Sequence, residues 1–543
     1  MLIQDWILCF LFIAAVLLLL FTCKWNVAKH NNRWRILYLV PTVICIIHLL
    51  VAGVEWCLSG IYIGAFVATI GYFLTTVAMR RKSSIVAIAL CIFTIPFCFF
   101  SDSYRTACYV ADFEEGFTTM KEYYSLSHHK NIDWDALYEK YYPLFEQAEE
   151  TQDENANITA WFQFCNEFYD GHTFYVPKGD YEEKVQSATE SVVGNDYGLS
   201  MVQLSTGEYA AVAVAENSQA FQAGIHTGTI ITQWDGKDIK ELLPTAVERM
   251  KQCTIVENIE NQNFYKSLFV LGIGSDQVQV TFLNDEGKEE VVTLDAMGNY
   301  YQRLKDTTDC LTYKTPRENM SVVSLNEDTI LLNVNMMAYD SDTTESANYN
   351  QMQSKIREQL VEYRQKGASN LIIDLRQNGG GSSMMARSIV SLVADKEIFW
   401  AADGTYNAEA KDYEILNTYT CSGENLWAVG EIVVLVNSRS SSAANHLMAG
   451  IQKLNNVTVM GISEPAGAAQ GVTEIPLTHG SLSFSTTLVL DENEEIWIDG
   501  DESGHCRLVV DKKIPLTQET LVKMFEEERD YVLDYGLKWF EEN

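Results

Sequence analysis

The strongest constraint on the fold is an alternation of apolar strands and helices that begins near residue 320. Apolar strand segments at 329–334, 371–374, 432–436 and 457–460 are separated by helical segments at about 349–365, 384–393 and 443–454. Parallel strands that are covered by helices on both faces are apolar along their whole length. The order therefore predicts an α/β core with a parallel sheet, and a ligand site outside the carboxyl ends of its strands.

A serine and a distant histidine carry the predicted chemistry. Ser442 follows the strand 432–436 at a strand-to-helix turn, and His172 lies in the turn Asp170-Gly171-His172-Thr173. A serine hydroxyl is a poor nucleophile, and a neutral histidine can take its proton and return it to a leaving group. We therefore expect Ser442 to be the nucleophile and His172 the general base. His446 and His505 are alternative bases.

Backbone N–H groups near Ser442 predict an anion hole. Ala443 would begin a helix, and the turn after the strand 371–374 contains Gly379, Gly380 and Gly381. The N–H of Ala443 and one from Gly379 or Gly380 can bind a developing oxyanion. No His-Glu-x-x-His or Cys-x-x-Cys spacing occurs, so we expect neither a metal nor a cofactor.

Two motifs resemble those of the C-terminal processing, or tail-specific, peptidases. Residues 374–381 are similar to the family's Asp-Leu-Arg-x-Asn-x-Gly-Gly turn, and Ser442-Ala443-Ala444 to its Ser-Ala-(Ser/Ala)-Glu turn, with Asn445 in the Glu position. The order of parts agrees across residues 103–543. The resemblance implies a ClpP/crotonase-like peptidase core with an inserted PDZ domain.

One departure places the chain in a particular branch of that family. Well-known members use a Ser/Lys dyad, but this chain has no lysine between Lys453 and Lys512. It looks like the branch related to the tricorn protease core and to interphotoreceptor-retinoid-binding-protein-like sequences, in which a His and a later Glu complete a triad. That resemblance implies Glu502 as the third member, with Asp499 and Asp501 as alternatives.

The sequence divides into four predicted domains. Residues 1–102 form a transmembrane region, 103–190 a helical segment with the Asp-Gly-His-Thr motif, 191–297 a PDZ-like domain and 298–543 the peptidase core. Residues 197–201 resemble the Gly-Leu loop of bacterial protease PDZ domains. By that resemblance Tyr197, Gly198, Leu199 and Ser200 would bind a peptide's C-terminal carboxylate. A β-rich spacer without a ligand is the alternative.

Four apolar runs, at about 6–23, 36–54, 57–79 and 84–101, predict four transmembrane helices. Each is close to the roughly 20 residues that cross a bilayer. Basic residues cluster between the first and second runs and between the third and fourth. The positive-inside rule then predicts a multi-pass protein of the cell membrane, with everything after about residue 102 on the extracytoplasmic side.

Charge excludes nucleic acid as a partner. Residues 1–102 carry seven Lys/Arg and three Asp/Glu. Since the net charge of the whole chain is −34, residues 103–543 have a net charge of −38. Such an acidic segment repels nucleic acid and anionic lipid headgroups. Its six cysteines permit disulfides, although buried thiols are an equal or better interpretation. Homo-oligomerisation is left open.

These features predict a membrane-anchored serine endopeptidase that cleaves extended or C-terminal polypeptide segments through an acyl-enzyme on Ser442. A catalytically degenerate peptide-binding or sensor protein on the same scaffold is the alternative, which Asn445 and the absent lysine favour. Hydrolysis of a small ester is a third hypothesis, because the same triad would serve it.

Overall fold

The computed structural model describes residues 108–272, 276–312, 318–338, 350, 352–407, 410–427 and 430–542. The chain divides into two units, Met1–Cys108 and Tyr109–Asn543.

The α-helices of the second unit are α1 Tyr109–Tyr123, α2 Trp134–Thr151, α3 Glu154–Cys165, α4 Tyr181–Val193, α5 Gln219–Gln222, α6 Ile239–Cys253, α7 Ile259–Tyr265, α8 Tyr301–Thr312, α9 Arg357–Gln365, α10 Ser383–Val393, α11 Ala443–Ile451, α12 Gln518–Phe525 and α13 Tyr531–Glu542. Short 3₁₀ segments cover Asn166–Phe168 and Lys266–Phe269, and a π-helical turn covers Met352–Ile356.

Its strands are β1 Phe174–Pro177, β2 Asn195–Asp196, β3 Ser200–Gln203, β4 Tyr209–Val212, β5 Ile231–Trp234, β6 Lys237–Asp238, β7 Gln277–Leu283, β8 Glu289–Asp295, β9 Gly298–Asn299, β10 Met320–Ser324, β11 Thr329–Val334, β12 Asn370–Asp374, β13 Ile398–Asn407, β14 Asp412–Cys421, β15 Ile432–Leu435, β16 Val457–Gly461, β17 Val472–Pro476, β18 Gly480–Ser485, β19 Val489–Leu490 and β20 Lys512–Lys513.

The central sheet has six strands in the order β10-β11-β12-β15-β16-β20. β10 pairs antiparallel with β11, and every other pair in this sheet is parallel. Ile373 lies beside Leu332 on one side and beside Val434 on the other, which fixes the register of the centre. The carboxyl ends of β12 and β15 are therefore neighbours, and the turns that follow them meet at one edge of the sheet.

Alternate residues of the central strands enter two separate cores. Leu332, Ile373 and Val434 pack with α10 and α11 in one core. Ile372 and Val433 pack on the other face, where a Cβ added at Gly536 of α13 would lie 3.4 Å from Val433. Because both faces are buried, the middle positions of β11, β12 and β15 are apolar on both sides of the sheet.

The helical segment before His172 has an aromatic core of its own. Phe113 of α1 is fully buried, and its ring centroid lies 4.4 Å from that of Phe145 in α2 and 5.6 Å from that of Phe164 in α3. The chain leaves this core through the turn 170–173 and enters β1, which pairs with β18. This pairing joins the segment to the carboxy-terminal part of the chain.

The region that was predicted to be PDZ-like is an insertion whose ends pair with each other. β2 pairs antiparallel with β9, so Asn195 lies opposite Asn299. Between them lie a four-stranded sheet in the order β6-β5-β7-β8 and the two-stranded sheet β3-β4. The long hairpin of β13 and β14 was not predicted from the sequence: β13 begins with the apolar run Ile398–Ala402, but its partner β14 is mostly exposed and mixes polar and apolar residues.

The predicted fold class is wrong in one respect. The fold is an α/β peptidase-like fold built on several sheets, and among the described residues no helix is both long and apolar enough to cross a bilayer. The longest, α2, has 18 residues and carries Asp135, Glu139 and Lys140 among other charges. The four predicted transmembrane helices at 6–23, 36–54, 57–79 and 84–101 lie outside the described residues.

A buried ion network attaches the carboxy-terminal segment to the end of β12. The Arg376 guanidinium donates to Asp374 at 2.9 and 2.7 Å and to Asp530 at 2.6 and 2.8 Å. The Arg376 side chain is only 4% exposed. Because Arg376 belongs to the turn that leads to Gly379, the network also fixes the start of that turn.

We expect Arg376→Met to lower the free energy of unfolding by about 3–5 kcal/mol, because it deprives two buried carboxylates of their guanidinium partner. Urea denaturation measures this. Arg529→Met is the matched control, since Arg529 pairs with Asp534 at the surface and should cost less than about 1 kcal/mol. Equal losses for the two variants would contradict the role assigned to the network.

Candidate active site

Ser442 lies at a strained turn between β15 and α11. Its backbone has φ 55° and ψ −122°, and its side chain does not cap the helix. A residue other than glycine in such a conformation costs on the order of 1–3 kcal/mol, and such strain is concentrated at functional sites. The Ser442 N–H donates to the Ala468 carbonyl at 2.9 Å, and the Ser441 N–H donates to Asn378 at 2.9 Å. These bonds hold the serine without using its hydroxyl.

Asn445 fixes the loop that holds Ser442. Its Oδ1 accepts from the N–H groups of Gly467 and Ala468 at 2.9 and 3.0 Å, and its Nδ2 donates to the Ser440 carbonyl at 2.7 Å. An ionised glutamate has no donor for that carbonyl. Asn445, which stands in place of the family's glutamate, therefore makes a set of hydrogen bonds that an ionised glutamate could not make in full.

His172 lies in a turn that packs on the same loop. The His172 N–H donates to Asp170 at 2.9 Å. The other Asp170 oxygen accepts from Tyr124, Thr173 and Ser485 at 3.1, 3.0 and 2.9 Å. A Cβ added at Gly171 would lie 3.4 Å from the Cβ of Ala468. The turn that carries the histidine and the turn that carries the serine thus both contact Ala468.

The His172 side chain is 8% exposed, and within the described part of the chain its Nδ1 has no hydrogen-bond partner. Neither alternative base is placed as well. His446 is buried with Nε2 2.8 Å from the Ala469 carbonyl, and burial lowers its pKa, with His172 acting in the same direction. His505 is exposed and contacts Glu260 at 2.6 Å.

Asp499 is a buried carboxylate on which the charge of His172 acts, although among the described residues no hydrogen bond joins it to the His172 Nδ1. It is 3% exposed and accepts from the Ala469 N–H at 3.1 Å and from Gln470 at 2.7 Å. Burial and the charge of Asp170 raise the pKa of Asp499 to about 6, while Lys130, Gln470 and His172 oppose the rise. Glu502 and Asp501 lie in an exposed turn, and Asp501 accepts from the N–H groups of its own turn.

The glycine turn after β12 lies directly against Ser442. Gly380 has φ +109°, and a Cβ added there would be 2.5 Å from the Cβ of Ser442 and 3.2 Å from the N of Ala443. Its own N–H donates to Asn378 at 2.8 Å. Because Gly380 has no side chain, the glycine turn can lie close to Ser442. The Gly380 N–H is already used, so the N–H groups of Ala443 and Gly379 are the candidates for the anion hole.

The predicted carboxylate-binding loop already binds a carboxylate of its own chain, that of Asp196. Tyr197, Leu199 and Ser200 are buried, and the Gly198 N–H donates to the Asp196 carboxylate at 2.8 Å. Asp196 is in turn paired with Arg303 at 2.7 Å. A peptide carboxylate at Gly198 would have to compete with this internal acceptor.

A cavity of about 440 Å³ lies beside the site. Its lining is largely apolar and includes Met250, Phe269 and Leu304, together with Glu257 and Arg439. Glu257 also contacts the turn of His172, because a Cβ added at Gly171 would be 2.9 Å from its Cγ. Burial raises the pKa of Glu257 to about 7, against opposing contributions from hydrogen bonds and from Arg439.

Sequence reasoning missed Asn378, Gln470, Glu257 and Lys130. Asn378 could have been found, because it belongs to the motif at 374–381. Gln470, Glu257 and Lys130 have no local pattern, and only the tertiary structure brings them to the site. Within the described residues no cluster of His, Cys, Asp and Glu could hold a metal ion.

Two parts of the sequence match models of known protein families. Residues 332–501 match Peptidase family S41, and residues 107–155 match the Tricorn protease C1 domain. The carboxyl-terminal-processing protease of Picosynechococcus sp. is 27% identical over 199 residues, which are 32% of this chain and 46% of that protein. The chain thus spans about half the length of this curated relative.

Solved structures with similar folds include mature CPAF complexed with lactacystin (12% identity, TM-score 0.47, 79% of this chain and 97% of that chain). The photosystem II D1 C-terminal processing protease (15%, 0.34, 76% and 94%) and the tricorn protease (13%, 0.33, 80% and 36%) are also similar. At these TM-scores the structural likenesses carry no argument of their own.

The turn of Ser442 lies within residues 332–501, the part of the sequence that matches Peptidase family S41. The sequence matches confirm the resemblance to the C-terminal processing peptidases. The match of residues 107–155 agrees with the resemblance to the tricorn protease.

We expect Gly380→Ala to reduce the rate of Ser442 labelling by a fluorophosphonate by about 10²-fold or more, because the new Cβ displaces the serine. Gly379→Ala is the matched control. It keeps its N–H, and a Cβ added there meets no atom within 4 Å. Comparable rates for the two variants would contradict the close approach described here.

We expect Glu257→Gln to remove a pH dependence of stability. The folded-state pKa of Glu257, about 7, exceeds the unfolded value of about 4.3. Its stabilising contribution is therefore fully present below about pH 4.3 and is lost as pH rises through about 7. Urea unfolding at about pH 5 and pH 8 should show the variant gaining about 2–3 kcal/mol over the wild type at the higher pH.

The control for this measurement is Glu216→Gln, at an exposed position. It should leave the difference between the two pH values unchanged. A wild-type protein whose stability, relative to Glu257→Gln, does not fall over this range would refute the assignment.

Proposed function

We propose that this protein is a serine endopeptidase that hydrolyses peptide bonds in extended or C-terminal polypeptide segments through an acyl-enzyme on Ser442, with His172 as the general base. The observation that carries the proposal is the strained Ser442 turn, which contacts Gly380 on one side and, through Ala468, the His172 turn on the other. Backbone strain of this kind is concentrated at active sites, ligand clamps and switch regions, and here it lies at a serine with an anion-hole candidate beside it.

The reaction follows from these positions. His172 takes the proton of the Ser442 hydroxyl as Oγ attacks the substrate carbonyl, and the N–H groups of Ala443 and Gly379 stabilise the oxyanion. The imidazolium then gives its proton to the leaving amine, and the C–N bond breaks. A water molecule, deprotonated by His172, then attacks the acyl carbonyl; the ester bond to Ser442 Oγ breaks, the carboxylic acid product leaves, and the proton on His172 returns to Oγ.

We propose Asp499, instead of Glu502, as the third member. A carboxylate beside a catalytic histidine must hold its tautomer and stabilise the imidazolium, so it has to be close and held in place. Asp499 is buried and is held by Ala469 and Gln470, whereas the Glu502 side chain is exposed.

The cavity beside the site supports a polypeptide substrate. The cavity of about 440 Å³ reaches the His172 turn through Glu257, and its apolar residues, such as Met250 and Phe269, could accommodate an apolar side chain of the substrate. The insertion 191–297 would bind an extended peptide as a PDZ-like domain, although the Gly198 N–H is engaged by Asp196. The extracytoplasmic location stays a prediction.

We expect a fluorophosphonate to label the purified protein at Ser442, and Ser442→Ala and His172→Ala each to remove nearly all activity. Linked members of a triad lose up to about 10⁶ in turnover, and their effects are not additive. Active-site labelling followed by mass spectrometry, together with peptide hydrolysis, measures both. A folded wild type that neither labels nor cleaves would instead support the peptide-binding scaffold.

The third member is tested by a matched pair of conservative changes. Asp499→Asn should lower turnover by about 10⁴-fold, the loss that follows when a histidine is held in the wrong tautomer. Glu502→Gln, in the exposed turn, should retain wild-type turnover. The reverse result would return the role to Glu502.

A further inference from the structure

We infer that Lys130 is a positioning residue for this reaction: its buried ammonium compensates the carboxylates of Asp170 and Asp499 and keeps Asp499 ionised beside His172. This inference rests on the proposed function. Lys130 touches neither the serine nor the peptide bond, so its effect is exerted through the two carboxylates.

Lys130 connects the two turns that form the acid–base part of the site. It is 4% exposed, and its Nζ donates to the carbonyls of Gly500 at 2.5 Å and Tyr169 at 3.3 Å. Gly500 directly follows Asp499, and Tyr169 directly precedes Asp170. One ammonium thus holds the turn that bears the histidine against the turn that bears its carboxylate.

The charges around Lys130 show why an ammonium is needed there. Burial lowers the pKa of Lys130, and the neighbouring Asp170 and Asp499, together with Cys506 and Asp501, offset this lowering only in part. Two buried carboxylates close together cannot both stay ionised without a compensating cation. Lys130 supplies that cation, and each carboxylate in turn stabilises its charge.

Neighbouring groups do not supply this charge. Burial and the adjacent Lys130 lower the pKa of His129 to about 4, so His129 is neutral at physiological pH. Tyr124 donates a hydrogen bond to Asp170 but is uncharged, because burial and the carboxylates raise its pKa well above the usual range. Arg507 pairs at the surface with Glu495. His172 itself is the group whose protonation the reaction requires.

The consequence for catalysis concerns the protonation of Asp499. A protonated Asp499 would not stabilise the imidazolium that forms when His172 accepts the serine proton. An opposite charge nearby lowers the pKa of a carboxylate by about 1–3 units, and its removal raises that pKa by a similar amount. Loss of the ammonium should therefore move the acid limb of the pH–rate profile to higher pH.

The test compares Lys130→Gln, Lys130→Met and Lys130→Arg in the full-length protein. Lys130→Gln keeps hydrogen-bond donors for the two carbonyls but loses the charge, and Lys130→Arg keeps the charge. The readout is the second-order rate of fluorophosphonate labelling of Ser442 between about pH 5 and pH 9. Lys140→Met is the control, since Lys140 is an exposed lysine paired with Glu167.

We expect the acid limb to move up by about one pH unit or more in Lys130→Gln and Lys130→Met, with a rate about 10-fold lower at pH 6 and a smaller loss at high pH. Lys130→Arg and Lys140→Met should keep the wild-type profile. A loss of the same factor at every pH would show a merely structural role and overturn the inference. A wild type that does not label would overturn the proposed function instead.

A second measurement covers variants that fold poorly. In the background Asp499→Asn, which removes one of the two buried negative charges, replacement of Lys130 by Met should reduce the urea midpoint less than it does in the wild type. Equal reductions in the two backgrounds would show that the Lys130 ammonium is not coupled to Asp499, and would overturn the inference.

Discussion

The two-sided burial of the parallel sheet is the constraint on which the rest of the structure depends. Because β12 and β15 are adjacent and parallel, the turns that follow them meet, and Gly380 comes within contact distance of Ser442. The arrangement needs helices on both faces to exclude water from the strands. Without α10, α11 and α13 in place, the register that joins the two motifs would have no energetic basis.

A second level of organisation is the loop 465–470, which collects the catalytic groups from distant parts of the chain. Its Ala468 carbonyl accepts from Ser442, its Ala469 N–H donates to Asp499, and its Ala468 side chain packs on the His172 turn. Asn445 holds the loop from α11, and Asn258 donates to the carbonyls of Pro465 and Ala466 at 2.9 Å. In the lysine-dependent members this region supplies the base, whereas here it supplies backbone contacts.

How much could be predicted from the sequence depended on whether the signal was local. The strand–helix alternation, the turn at 374–381 and the position of Ser442 are local patterns, and they located the parallel sheet and the strained turn that bears Ser442. Asp499 and Glu502 are three residues apart in one acidic turn, so only burial separates them. Lys130 and Gln470 have no periodic neighbours, and they join the site through contacts distant in sequence. Apolar length alone predicted four membrane spans, and no helix of the described residues supports them.

The neutral amide of Asn445 and the ammonium of Lys130 both limit the net negative charge that is buried in this part of the site. Asn445 accepts from the N–H of Ala468, and Asp499 accepts from the N–H of the next residue, Ala469. A glutamate at 445, as in the family motif, would therefore add a further carboxylate at the loop that Asp499 also contacts. One ammonium can compensate at most one or two buried carboxylates, and a third would force protonation within the group. The amide keeps the hydrogen bonds to the loop and adds no charge, so Asp499 can stay ionised beside His172.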